Sequence, residues 1–345
     1  MTELVSLPVF LAGMVVVSLN AYILLGGADF GGGVWDLFAR GARRAEQRAL
    51  IAHALGPVWE ANHVWLILVI VLLFTCFPPA FAALSITLHI PLSFMLIGIV
   101  MRGAAFTFRS YDSKRDTVQR RWSRIFAIAS LVTPVVLGVC VGAIVAGRIP
   151  SGSSLGFTPG AFVASFVAPW ATWFGLWIGL MTLSLFAFLG AIYLTFETRD
   201  AGLRDDFRIR ALVAEGCVIA SAAIALVFAH GDAPLVREGL LRGGTAAAII
   251  AGAVLSAAAT VWALWTKRFT IARIAGAAQA SVILWGWPVA QYPYLLPPHT
   301  TIDAAAAPAV TLQLVLGALV VGGAILLPSL GYLFRVFKRG AAGSG

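Results

Sequence analysis

Nine long apolar stretches constrain what this sequence can fold into more than any other feature. Each is close to the roughly 20 residues that a helix needs to cross about 30 Å of hydrocarbon. Apolar types make up 60% of the 345 residues and charged types only 11%, which leaves too little polar surface for a soluble globule. We therefore predict an all-α integral membrane protein, a single membrane domain over residues 1–345 whose nine transmembrane helices pack as bundles. Hydropathy predicts the spans Val5–Leu25, Ile51–Phe77, Ala80–Met101, Phe126–Ala146, Trp170–Phe196, Ala211–His230, Thr245–Thr266, Ile271–Ala290 and Pro308–Phe334.

The distribution of Lys and Arg between these spans predicts their orientation. Of the 24 basic residues, 21 fall on one side of the predicted membrane, Arg102 in the loop after the third span among them. Because positively charged loops are retained in the cytoplasm, the N-terminus is predicted outside and the C-terminus in the cytoplasm. The net charge of +9 then reflects topology and attraction to anionic lipid, and nucleic-acid binding has no support.

Ionisable residues at membrane depth are the candidates for function, because each is costly there unless it is paired, hydrated or functional. Asp29 is predicted to close the first span beside Gly31–Gly33, glycines that would allow close helix approach or a bend. Glu60 lies roughly 13 Å into the second span, on the face that His53 and His63 share with it. These three side chains form a ladder of titratable groups suited to proton transfer.

Metal binding is an alternative that the spacing does not support. Glu60 and His63 have the spacing of a di-iron ligand pair, but a second Glu-x-x-His motif and two further glutamates are absent. Cys76, Cys140 and Cys217 each lie inside an apolar stretch without metal-ligand spacing. We therefore predict no metal site.

Two further alternatives remain open from the residues alone. Four deeply placed histidines are candidates for haem ligands: His53, His63, His89 and His230. Glu60, Asn62 and His63 could instead only hydrogen-bond between helices and stabilise their packing. Five other acids lie among arginines near the predicted inner surface. We interpret them as solvated or interfacial ion pairs: Glu197, Asp200, Asp205, Asp206 and Glu215.

Several segments resemble subunit II of the cytochrome bd quinol oxidases, and the likeness runs through essentially the whole chain. The most specific is the pattern Gly-Pro-x-Trp-acid-x-Asn-x-x-Trp-Leu within residues 56–67. The other segments that carry the resemblance are Gly26–Gly33, Phe74–Pro78, Arg102–Arg109 and Tyr292–Pro297. Two positions depart from the family pattern, since many members have Asp where this chain has Gly26, and the acid at Glu60 is often Asp.

The resemblance implies a subunit of a terminal respiratory oxidase that reduces oxygen to water with electrons from quinol and generates proton motive force. Subunit I of this family carries haem b, haem d and the quinol site. Subunit II resembles it in fold, packs against it as a heterodimer and helps to form a proton path from the cytoplasm. The implied location is the bacterial cytoplasmic (inner) membrane. Small accessory membrane subunits, lipid and a structurally bound quinone are compatible with this picture.

The resemblance also implies roles for individual residues. Asp29 and Glu60 become the expected proton-path residues, with His53 and His63 as weaker candidates and Asn62 as a hydrogen-bonding orienter. A different hypothesis is a cation-coupled secondary transporter, in which the same two acids would bind the coupling ion. A purely structural membrane partner differs from the oxidase subunit only in whether Glu60 titrates.

Overall fold

The computed structural model describes residues 6–111, 116–150, 159–241 and 244–342, and these are almost entirely helical. The helices are α1 (Leu7–Leu37), α2 (Arg44–Cys76), α3 (Pro78–Thr87), α4 (His89–Tyr111), α5 (Asp116–Val145), α6 (Pro159–Phe166), α7 (Trp173–Glu197), α8 (Ala201–Asp232), α9 (Pro234–Leu241), α10 (Gly244–Trp265), α11 (Phe269–Gln291), α12 (Ile302–Ala305) and α13 (Ala309–Ala342). Between α11 and α12, strands β1 (Tyr294–Leu296) and β2 (Thr300–Thr301) form a short antiparallel hairpin.

Seven helices within the described ranges are long and apolar enough to cross a membrane: α1, α5, α7, α8, α10, α11 and α13. A further apolar pair, Asn62–Cys76 of α2 with α3, is bent by 119°. His89–Ala105 of α4 is apolar but shorter. The chain is therefore an all-helical, multi-pass membrane protein.

Several helices have limits that differ from the predicted spans, and two of these differences affect the candidate site. The predicted third span, Ala80–Met101, is divided between α3 and α4, which meet at Leu88. Pro91 explains the division, because it has no N–H to donate to the carbonyl of Thr87 and its ring crowds that carbonyl. The predicted first span was too short, since α1 continues without a break to Leu37.

The helix α7 lies at the centre of the bundle and packs against α1, α5 and α8. A Cβ built on Gly31 would lie 2.0 Å from the carbonyl oxygen of Phe186, so the backbones of α1 and α7 are in contact there. A Cβ on Gly138 of α5 would likewise lie 2.6 Å from the Cα of Gly179 in α7. Small residues allow such close approach, and this packing replaces the hydrophobic force that lipid cannot supply between helices. The predicted close approach at the Gly31–Gly33 segment is confirmed.

Many large apolar side chains lie exposed on the outer surface of the bundle. The side chains of Phe74, Val227 and Leu314 are 62%, 72% and 70% exposed, while Phe186 and Phe188 in α7 are fully buried. An apolar exterior is stable only against lipid or another apolar protein surface, which agrees with a membrane location.

Candidate functional site

An ion pair between Asp29 and Arg102 is buried where α1 meets α4. Both residues are 1% exposed. The Arg102 guanidinium donates from Nη1 to Oδ2 of Asp29 and from Nη2 to Oδ1 at 2.6 Å. The same Nη2 lies 2.7 Å from the backbone carbonyl oxygen of Asp29. Paired hydrogen bonds of this kind fix both groups in one orientation. The charge of Asp29 is therefore compensated within this chain.

The remaining face of Arg102 is held by α5 and by two aromatic rings. Its Nε donates to Oγ of Ser130 at 2.9 Å, and that hydroxyl donates to the carbonyl oxygen of Phe126 at 2.7 Å. The guanidinium carbon lies 4.3 Å from the ring centroid of Phe30 and 4.9 Å from that of Phe126. Cation–π contacts stabilise a charge most where water is excluded. Arg102 is thus a rigid anchor between α1, α4 and α5.

Asn62 of α2 completes this group, which we call the Asp29 cluster (Asp29, Asn62, Arg102 and Ser130). It is fully buried, and its Nδ2 donates to Oδ2 of Asp29 at 3.4 Å. A Cβ on Gly26 would lie 3.1 Å from Nδ2 and 3.2 Å from Oδ1 of Asn62, so the glycine leaves room for the amide. The Oδ1 of Asn62 has no hydrogen-bond partner among the described residues. It can accept a hydrogen bond from water or from a protonated group.

The structure brings together two of the residues predicted from sequence, Asp29 and Asn62. His53 lies exposed near the start of α2, and His63 is partly buried one position after Asn62. The side chain of Glu60 lies outside the described residues, so the ladder of titratable groups through Glu60 stays a prediction. The backbone of Glu60 belongs to α2.

Two sequence interpretations at this cluster are wrong. Asp29 does not close the first span, because α1 continues past it to Leu37. Arg102 is not a residue of an exposed loop, because it lies within α4 and is buried. One signal pointed to this pairing: a carboxylate inside a membrane bundle needs a cation, and Arg102 stands at the boundary of a predicted span.

A second buried carboxyl lies between α8 and α11. Glu215 is 1% exposed and accepts a hydrogen bond of 2.7 Å from Nε2 of Gln279. No ion pair joins Glu215 to a basic side chain within the described parts of the chain. The interpretation of Glu215 as part of an interfacial ion pair is therefore wrong. α8 turns this residue towards Gln279 of α11.

Other acids of this group do form interfacial ion pairs, as predicted. Asp206 accepts two hydrogen bonds from Arg43, of 2.9 Å from Nε and 2.5 Å from Nη2. These bonds raise the pKa of the Arg43 guanidinium. Asp205 accepts a bond of 2.7 Å from Nε of Arg208. Such pairs contribute little to stability because water screens them.

Histidine and cysteine are residue types that would hold a metal ion or a haem. Within residues 6–111, 116–150, 159–241 and 244–342, no three His, Cys, Asp or Glu side chains are grouped to hold a metal ion. His53 and His230 are exposed, while Nδ1 of His89 lies 2.8 Å from the carbonyl oxygen of Ile86 and its ring packs against Phe166. These three histidines occupy different surroundings.

Known proteins that are similar to this chain include second subunits of cytochrome bd oxidases. A curated cytochrome bd ubiquinol oxidase subunit 2 of Bacillus subtilis is 35% identical over 126 residues, which is 36% of each chain. The cytochrome bd-I ubiquinol oxidase subunit 2 of Escherichia coli K12 is 28% identical over 134 residues, or 39% of this chain and 35% of that one. The matches thus span only about a third of the length of these curated relatives.

The fold and the family model extend the likeness to nearly the whole sequence. The structure of a bd oxidase from Geobacillus thermodenitrificans superposes with a TM-score of 0.78 over 96% of this chain and 98% of the matched chain. At 23% identity, that match establishes the fold alone. The family model for cytochrome bd terminal oxidase subunit II matches residues 7–337. The chain therefore belongs to the cytochrome bd terminal oxidase subunit II family.

Proposed function

We propose that this chain is subunit II of a quinol:oxygen oxidoreductase in the bacterial inner membrane. Family membership over residues 7–337 supports this, as does the apolar outer surface. Its partner is the haem-bearing subunit I, and the complex takes quinol and oxygen as substrates. Lipid and small accessory membrane subunits complete the proposed assembly. The family assignment gives no support to the transporter hypothesis.

The proposed membrane arrangement has nine crossings. The seven long apolar helices account for seven of them. The other two are α2, which ends at the Pro78 turn, and α4, which follows that turn after α3. The excess of Lys and Arg on one side supports an external N-terminus and a cytoplasmic C-terminus.

The buried Asp29 cluster is the observation that carries the proposal for proton transfer. It presents two kinds of acceptor at one place, the carboxylate of Asp29 and the Oδ1 of Asn62, which has no hydrogen-bond partner among the described residues. Acceptors fixed in a dry interior can stabilise a proton that arrives on water or on a neighbouring acid. We assign the titrating step to Glu60, two residues before Asn62, and the electrostatic anchoring to Asp29. His53 and His63 are weaker candidates for the same path.

The haems of the complex are proposed to lie on the partner subunit, as the family resemblance implies. Haem b and haem d there supply the electron transfer and oxygen chemistry. This chain contributes the positions at which protons are held, and a quinone bound between its helices would be structural.

The experiment compares variants of the complete complex after purification in mild detergent and reconstitution in liposomes. Glu60→Gln keeps the shape of the side chain but cannot titrate, so quinol-dependent oxygen uptake and proton translocation should both fall by at least roughly tenfold. The matched control is Glu46→Gln, on the exposed first turn of the same helix. A visible haem spectrum confirms that both complexes are assembled.

Two outcomes would contradict the proposal. Unchanged oxygen uptake and proton translocation in Glu60→Gln would remove the proton role and leave a structural partner. Purification of a colourless chain without any haem-containing subunit would remove the oxidase assignment itself.

A further inference from the structure

An open cleft of about 330 Å³ lies where α1 ends, α2 begins and the start of α8 crosses them. Three arginines line it, Arg40, Arg43 and Arg210, together with Gln47 and Asp206, and we call it the arginine cleft. Its volume is at the lower end of the range of roughly 300–1,000 Å³ that is usual for small-ligand sites. None of its lining residues belongs to the Asp29 cluster, so it needs an explanation of its own.

The cleft carries an excess of positive charge. Asp206 is the single acid among its lining residues, and its carboxylate is already bound by Arg43 at 2.5 and 2.9 Å. Arg40 and Arg210 therefore contribute two positive charges to the same space. The guanidinium of Arg40 is exposed and contacts the ring of Phe38 at 5.7 Å. Like charges that face one cavity repel each other unless an anion lies between them.

Two of the positive groups, Arg43 and Arg210, are held in place through the buried side chain of Gln47. Gln47 is 2% exposed, and its Oε1 accepts a hydrogen bond of 2.7 Å from Nη2 of Arg210. Its Nε2 donates to Asp206 at 2.9 Å, which ties the two charged residues together. The guanidinium of Arg210 also lies over the rings of Trp35 and Phe207, at 5.5 and 5.0 Å. A site whose charges are already oriented loses little entropy when a ligand binds.

We propose that the arginine cleft binds a phosphate group. Guanidinium groups bind phosphate oxygens through paired hydrogen bonds, and among the described residues neither Arg40 nor Arg210 forms a direct ion pair with a carboxylate. The cleft lies at the side proposed to be cytoplasmic, at the ends of membrane helices, where basic pockets bind lipid headgroups. The phosphate comes either from an anionic phospholipid or from solution. The proposal is independent of the proton path, because it concerns binding alone.

The test uses the complete complex in mild detergent after extensive delipidation. Phosphatidylglycerol or inorganic phosphate is titrated separately, and bound ligand is counted by native mass spectrometry. Arg40→Gln removes one charge from the cleft, and it should leave the fold intact because the side chain is exposed. Arg44→Gln is the matched control, since it removes the same charge from an exposed residue that does not line the cleft.

We expect phosphatidylglycerol to bind the wild-type and Arg44→Gln complexes alike, and to bind Arg40→Gln roughly tenfold more weakly. That result assigns the cleft to a lipid headgroup. If inorganic phosphate binds Arg40→Gln more weakly while binding of the lipid does not change, the cleft is assigned to phosphate from solution. Equal binding of both probes to Arg40→Gln and Arg44→Gln would overturn the proposal.

Discussion

Asp29 and Glu215 are both carboxyl groups buried inside the membrane bundle, but their partners differ in kind. Asp29 is held by the guanidinium of Arg102 through paired hydrogen bonds, with Asn62 as an additional donor. Among the residues that the structure describes, Glu215 accepts one hydrogen bond, from the neutral amide of Gln279. The charge of Asp29 is therefore compensated by a cation, whereas Glu215 is stabilised by a hydrogen bond from a neutral amide. The two regions should respond differently when a partner is removed.

Removal of either member of the Asp29–Arg102 pair should have the largest effect. Asp29→Leu leaves a buried guanidinium without its carboxylate, and breaking a buried ion pair in this way costs about 3–5 kcal/mol. We expect a large fall in the free energy of unfolding, measured by denaturation of the purified complex in mixed detergent micelles.

The double variant Asp29→Leu with Arg102→Met is the control for this prediction. It removes both charges, so the complex should recover much of the stability that the single variant loses. A double variant as unstable as the sum of the two single variants would show that the residues act independently, which contradicts the ion pair.

The backbone contact beside Asp29 should have the next largest effect. A Cβ on Gly31 would lie 2.0 Å from the carbonyl oxygen of Phe186, so Gly31→Ala forces α1 away from α7. Overpacking of this kind costs about 3 kcal/mol. Gly13→Ala in the same helix is the control, because a Cβ there has no neighbour within 4 Å. The thermal midpoint of the complex should fall for Gly31→Ala alone, and equal midpoints would disprove the close contact.

The Glu215 region should respond more weakly. Gln279→Leu removes the amide and leaves a buried carboxyl without a hydrogen bond, which costs about 1–3 kcal/mol. Glu215→Gln, in contrast, replaces the carboxyl with an amide whose Oε1 can still accept the hydrogen bond from Nε2 of Gln279, so it should change the stability little. Both variants are measured by the same denaturation assay. If Glu215→Gln destabilised the complex as strongly as Asp29→Leu, Glu215 would have a charged partner after all.

The sequence alone was enough to predict the membrane class and the family, because hydropathy and the motif around Glu60 depend only on the order of the residues. It was also sufficient to select Asp29 and Asn62, since polar groups in apolar stretches are conspicuous. It could not show which helix faces which, and so it placed Arg102 in a loop and Glu215 at the surface. The first error concerns where α4 ends, and the second concerns the rotation of α8 about its axis. Both depend on tertiary packing, of α4 against α5 and of α8 against α7.

The smallest effect is expected at Gly26, where this chain departs from the family pattern. A Cβ there would lie 3.1 Å from Nδ2 of Asn62, so in Gly26→Ala the amide must move by a few tenths of an ångström. The helix gains about 0.5–1 kcal/mol when alanine replaces glycine, which offsets the crowding and keeps the net change in stability within about 1 kcal/mol. The displaced amide should nevertheless hold Asp29 less well, so proton translocation should fall more than stability does. Gly216→Ala is the control, because a Cβ there meets nothing within 4 Å. Equal proton translocation in the two variants would show that Asn62 is not needed in its present position.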